Sequence, residues 1–133
     1  MTAVFLDTVG LLALWDGSDQ WHDAAEAAFQ RIVAGRLPTL TTTYVLLECG
    51  NAAARRPYRA AADDLRSLLE SRNELIVPTT EDWQVAWQLY RDREVGDAGI
   101  VDCTSIVIMR RLGLREAFTN DRHFASAGLA PLF

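Results

Sequence analysis

The sequence contains no lysine: all 13 basic residues are arginine. That absence removes whole reaction classes, because P-loop nucleotidases, Schiff-base enzymes and Ser-Lys hydrolases each need the lysine ammonium group. Phospho-acceptor receiver domains, which also use a lysine, go with them. Cysteine is nearly absent as well. Cys49 and Cys103 stand in apolar surroundings with no second Cys or His at Cys-x-x-Cys spacing, which reads as two buried, reduced thiols rather than a zinc site or a disulfide. No apolar run approaches the roughly 20 residues of a membrane span. The opening Met1-Thr2-Ala3-Val4-Phe5-Leu6-Asp7 carries no positive leader, so a cytoplasmic protein with no membrane segment is expected.

Positive charge is also scarce. Eighteen acidic residues against 13 basic ones give a net charge of -5, which argues against a protein that grips nucleic acid through bulk positive potential. A nucleic-acid enzyme stays open, since bound divalent cations reverse the sign of an acidic site. What the chain has in quantity is core material: 133 residues, 50% of them hydrophobic and 23% charged. That profile predicts one domain over residues 1–133, burying about two-thirds of its unfolded surface without needing disulfides or structural zinc.

Hydrophobic periodicity predicts strands alternating with helices. The strands are expected at Ala3 to Leu6, Leu37 to Thr41, Glu74 to Pro78 and Glu116 to Thr119, with a fifth at the edge from Leu129 to Phe133. Between them lie helices at Leu11 to Trp15, from an Asp19 cap to Gly35, at Tyr44 to Arg55, at Arg59 to Arg72, from Thr79 past Tyr90, and at Asp102 to Leu112. The Thr79-x-x-Asp82 capping box is the clearest helix start. This alternation implies an α/β domain with a mostly parallel sheet and right-handed crossovers.

In such a sheet ligands bind beyond the carboxyl ends of the strands, and two aspartates fall there: Asp7 after the first strand and Asp121 after the fourth. Each has a plain structural alternative, Asp7 as a cap for the helix at Leu11 and Asp121 as an Asx turn. Glu48 lies inside Val45-Leu46-Leu47-Glu48-Cys49, where it either faces solvent or sits buried and needs a cation. Asp102 reads as the N-cap of the helix that follows or as a fourth member of an acidic cluster. If the four converge on one sheet edge, their mutual repulsion calls for a divalent ion. Hard oxygen ligands without His or Cys point to Mg²⁺ or Mn²⁺, and carboxylate-held Mg²⁺ suits phosphodiester cleavage.

The chain resembles the PIN-domain ribonucleases, and more narrowly the VapC-type toxins of toxin-antitoxin pairs. The resemblance is carried by Phe5-Leu6-Asp7-Thr8, by Glu48, by the block from Asp97 through Val101-Asp102-Cys103-Thr104-Ser105, and by Thr119-Asn120-Asp121-Arg122-His123-Phe124. It implies a three-layer α/β/α domain with sheet order 3-2-1-4-5 and Mg²⁺-dependent RNA cleavage. It also implies a catalytic, metal-holding quartet of Asp7, Glu48, Asp102 and Asp121, with Thr8, Asp97, Thr119 and Asn120 supporting it. Asp97 is either that supporting acid or part of a Gly-Asp turn. A homodimer is implied too, as is an antitoxin whose C-terminal tail covers the acidic groove. Two positions depart from the family: Val9 stands where Ser or Asn is frequent, and Gly99 where Ser or Thr is frequent. The alternatives of another kind are a PIN-fold protein that binds a partner without cutting RNA, and a housekeeping RNA-processing nuclease of the same chemistry. A haloacid-dehalogenase-like phosphatase is disfavoured, because Val9 occupies the position of its second Asp.

Other residues read as structural. His22 and His123 are expected at the surface or in packing roles, and Trp83, Trp87 and Tyr90 as a core stripe. The pairs Arg55-Arg56 and Arg110-Arg111 either hold RNA phosphates or solvate helix ends.

Overall fold

The structure, a computed structural model, describes residues 2–133. Its elements run β1 (Val4–Leu6), α1 (Thr8–Trp15), α2 (His22–Ala34), β2 (Thr39–Thr42), α3 (Thr43–Ala53), α4 (Arg59–Ser71), β3 (Leu75–Ile76), α5 (Thr80–Arg91), α6 (Ile100–Leu112), β4 (Glu116–Phe118), α7 (Arg122–Ser126) and β5 (Ala130–Pro131). The strands line up in the order β3-β2-β1-β4-β5, and every pairing is parallel. Flanking helices complete the expected α/β/α arrangement. The chain builds outward from β1 through β2 to β3 and then returns to add β4 on the other side, so the order reverses between β1 and β4. A crevice opens at such a switch point, outside the carboxyl ends of the two strands.

Phe5 and Leu6 of β1, Phe118 of β4, Ile106, Ile108 and Met109 of α6 and Phe124 of α7 are fully buried. Phe29 of α2 meets Phe118 edge-on at 5.7 Å between ring centroids. These large side chains fix β1 and β4 as a rigid pair, because removing one such aromatic costs about 3–5 kcal/mol in a packed core. Among the described residues no helix is long and apolar enough to cross a membrane.

Several local expectations are corrected. Helix α1 starts at Thr8 rather than Leu11 and runs through Gly10. A Cβ on Gly10 would fall on the carbonyl oxygen of Phe118, so glycine here is what lets α1 lie against β4 rather than a break. Helix α6 is capped by Gly99 and begins at Ile100, which moves Asp102 from the cap into the first turn. Asp19 makes a turn with the Trp21 amide, 2.7 Å, and Trp21 occupies the N-cap of α2. Helix α7 was not expected at all.

The capping box at Thr79 and Asp82 forms as expected. The aromatic stripe of α5 does not enter the core. Trp83 and Tyr90 are 46% and 48% exposed, and with Tyr44 and Trp87 they form an edge-to-face row on the surface. Arg110 and Arg111 are both engaged in ion pairs, with Glu94 and Asp82 respectively, so this pair serves helix packing.

Candidate functional site

The residue after β1 is Asp7, and its carboxylate is fully buried. It does not cap α1 with its side chain, so the capping alternative does not explain it. Oδ2 accepts a hydrogen bond from the Thr119 hydroxyl at 2.8 Å, while Oδ1 has no partner. Burial, and then the charge of Asp102, push its pKa up from 3.8 to about 7. A buried carboxylate oxygen without a donor is costly. Of the expected site residues, Asp7 therefore carries the largest unmet demand for positive charge.

Thr119 closes β4 and links two acids. Its hydroxyl donates to Asp7 and accepts from the backbone N–H of Asp121 at 3.1 Å. Asp121 then caps α7: Oδ1 accepts from the His123 amide at 2.9 Å and lies 2.7 Å from His123 Nδ1. The Asx reading of Asp121 is thus correct as local geometry, and it also sets the carboxylate beside Asp102. Asp102, in the first turn of α6, is partly buried. Burial raises its pKa to about 6, with further upward pushes from Asp121 and Glu48.

Glu48 is half-buried on α3 and accepts from the Thr8 hydroxyl at 2.6 Å. The neighbouring Cys49 thiol is held neutral, its pKa pushed up to about 12 by burial and then by Asp7, so it offers no nucleophile.

Ligand atoms of Asp102, Asp121 and His123 lie within 4.8 Å of one another. Asp7 joins this group through Thr119 and through its electrostatic coupling to Asp102 and Asp121. Glu48 reaches it through the effect of its charge on Asp102. Asp97 stands apart on the surface, 87% exposed at its side chain, and touches only the far nitrogen of His123, Nε2, at 2.7 Å. Among the described residues no hydrogen bond ties the Asn120 side chain to this group, and no arginine pairs with Asp7, Glu48, Asp102 or Asp121.

His123 is partly exposed, as a surface or packing residue would be, and its contact with a site acid is what sequence reasoning missed. Its position two residues after an acid at a strand end was the available signal, but the contact depends on α7 turning the ring back onto its own cap. Asp97 holds the ring's pKa above its ordinary value against the opposing effect of burial, and Asp121 adds to the rise.

The donor set fits a hard divalent cation. Carboxylate oxygens predominate, one buried oxygen lacks any partner, and Asp7 and Asp102 are both raised by burial and by neighbouring carboxylates.

Comparison with known proteins gives the same picture at the level of family. The PIN domain profile matches residues 4–129. The chain is 29% identical over 134 residues to the 23S rRNA-specific endonuclease VapC20 of Mycobacterium tuberculosis, covering 94% of each sequence, and two strains of that organism give the same match. The crystal structure of M. tuberculosis VapC20, described as a sarcin-ricin loop cleaving toxin, superposes with a TM-score of 0.79 at 27% identity, over 96% of this chain and 97% of that one.

Proposed function

The chain belongs to the PIN-domain family and is a VapC-type ribonuclease, and from that premise we propose that it hydrolyses RNA with a divalent ion, Mg²⁺ or Mn²⁺, held by Asp7, Glu48, Asp102 and Asp121. The observation that carries this reading is the unpartnered, fully buried Asp7 Oδ1, on a carboxylate whose charged neighbours Asp102 and Asp121 are of like sign. Such an ion supplies Lewis acidity, lowering the pKa of water and offsetting charge on the phosphoryl oxygens.

The protein's own contribution is positional. Thr119 fixes Asp7 and the backbone of Asp121 with one hydroxyl, and Thr8 fixes Glu48. Fixing the rotamers of the acids in advance spares the ordering cost when ion and substrate arrive. The negative crevice also supports a cation requirement on the substrate side, because a phosphodiester approaching these carboxylates meets repulsion unless their charge is offset.

The toxin role follows from the VapC relationship. The 23S rRNA specificity of the M. tuberculosis relative makes a structured ribosomal RNA loop the first substrate to try. The partner in this reading is an antitoxin whose C-terminal tail enters the crevice with arginine, since a planar guanidinium pairs two carboxylate oxygens at once. The protein acts in the cytoplasm as a homodimer of a single PIN domain spanning residues 1–133.

The test is incubation with a pool of structured RNAs, with Mg²⁺ or with EDTA, followed by mapping of new ends. Discrete ends that appear only with the metal support the proposal. Cleavage undiminished in excess EDTA would remove the metal from the mechanism.

A further inference from the structure

His123 sits between two carboxylates. Its Nδ1 lies 2.7 Å from Asp121 Oδ1 and its Nε2 lies 2.7 Å from Asp97 Oδ1. Both ring nitrogens are therefore turned onto carboxylate oxygens, although the ring is close enough to Asp102 and Asp121 to be counted with them as a ligand group.

The two acids it touches belong to different parts of the chain. Asp97 precedes Gly99, the cap of the helix that carries Asp102, and Asp121 is the cap of α7. The ring thus ties the segment leading into α6 to the start of α7. It does so across the place where Asp102 and Asp121 repel one another.

The contact also sorts the two oxygens of Asp121. Oδ1 takes the His123 amide at 2.9 Å as well as the ring nitrogen, which fills it. Oδ2 takes no hydrogen bond among the described residues, and is the oxygen left for a ligand.

We propose that His123 is a positioning residue, a strut between Asp97 and Asp121 that fixes the Asp121 carboxylate with one oxygen filled and the other presented to the divalent ion, without ligating the ion itself. The inference rests on the metal-dependent reading of the preceding section and deepens it. A carboxylate free to rotate would present either oxygen and would swing away from Asp102. The strut holds it at the separation an ion can bridge.

The test uses the full-length protein and the side-chain geometry of two amides. Asparagine at this position can place an amide N–H near the site of Nδ1, while glutamine places it nearer Nε2. Mn²⁺ affinity is measured by calorimetry on wild type, His123→Ala, His123→Asn and His123→Gln, with thermal unfolding as a check that each is folded. Outer-shell partners of a metal site are worth about 10–100-fold in affinity, so the alanine variant is expected to bind Mn²⁺ at least about 10-fold more weakly. The asparagine variant should recover most of that loss and the glutamine variant little of it. Equal Mn²⁺ affinity in the folded alanine variant and wild type would overturn the strut. So would nitrogen hyperfine coupling from the His123 ring in the electron spin-echo spectrum of bound Mn²⁺, which would make it a ligand.

A separate readout needs no metal. In the metal-free protein the ring ¹⁵N spectrum should show protons on both Nδ1 and Nε2, each donated to a carboxylate, and should shift on Asp97→Asn. A wild type with that signature but no Mn²⁺ binding would refute the metal reading while confirming the Asp97-His123-Asp121 chain. A ring insensitive to Asp97→Asn would refute the chain itself.

Discussion

Two aspartates of this protein are buried to nearly the same degree and live in opposite circumstances. Asp82, 2% exposed, takes a bidentate fork from Arg111 at 2.8 and 2.9 Å and the backbone N–H of Thr79 at 2.8 Å. Burial alone would raise its pKa, but Arg111 and the Thr79 amide overcome that and hold it below its ordinary value. Asp7, 0% exposed, has one hydroxyl donor and no cation, and its pKa rises from 3.8 to about 7. A chain with 13 arginines neutralises the acid that builds a helix start and leaves the one at the sheet's switch point short of positive charge. The first arrangement serves the fold, and the second holds a place for a ligand.

The largest effect expected from breaking this contrast is at Asp7. Asp7→Asn should reduce RNA cleavage by more than about 100-fold, beyond what changes in the surrounding shell cost. It should leave the fold intact or firmer, since one of several repelling charges is gone. Cleavage kinetics alongside a thermal melt check both halves, and an unfolded variant would return Asp7 to a structural role.

The converse applies to Asp82→Ala, which should lower stability by about 2 kcal/mol through loss of the cap and of a charge-assisted pair. The half-exposed Arg111 keeps the pair screened and the figure modest. Its cleavage rate per folded molecule should match wild type, as read from denaturant unfolding paired with activity.

Thr119→Val keeps shape and removes Asp7's only side-chain donor. An activity loss of about 10-fold is expected, with a further rise in the Asp7 pKa visible in the pH dependence of Mn²⁺ binding. Smallest of all, Arg66→Ala breaks an exposed ion-pair cluster with Asp63 and Glu70 and should cost under about 1 kcal/mol. A loss as large as that of Asp82→Ala would mean that burial is not what separates these pairs.

The alternation of strands and helices, the placing of acids at strand ends and the α5 capping box were legible for reasons that are local, whereas the strand order 3-2-1-4-5 came only with the family resemblance. Acids at strand ends and Thr-x-x-Asp ahead of an apolar run are legible residue by residue. The start of α1 was not, because the apolar run shows only from Leu11 and the close approach of β4 to Gly10 is visible only in the fold. Nor was the role of His123, which needs a five-residue helix to fold its ring back onto Asp121. Trp83 and Tyr90 follow a helical period that fits a core face equally well, and only the placement of α5 shows that their stripe points outward.

The most direct test of the account is the stability of wild type and Asp7→Asn measured by chemical denaturation from pH 4 to 8, in EDTA and in Mg²⁺. Between 3.8 and about 7 the folded wild type keeps a proton on Asp7 that the unfolded chain has released, so in EDTA its stability falls as pH rises through that window. Asp7→Asn should lose this part of the slope and retain the parts due to Asp102, whose pKa is raised to about 6, and to His22 and His123, which are also raised. Mg²⁺ should restore the wild type near pH 7.5 by binding the charged form, and should do much less for the variant. Identical pH slopes and identical responses to Mg²⁺ in the two proteins would contradict the claim that Asp7 is held in readiness for a cation.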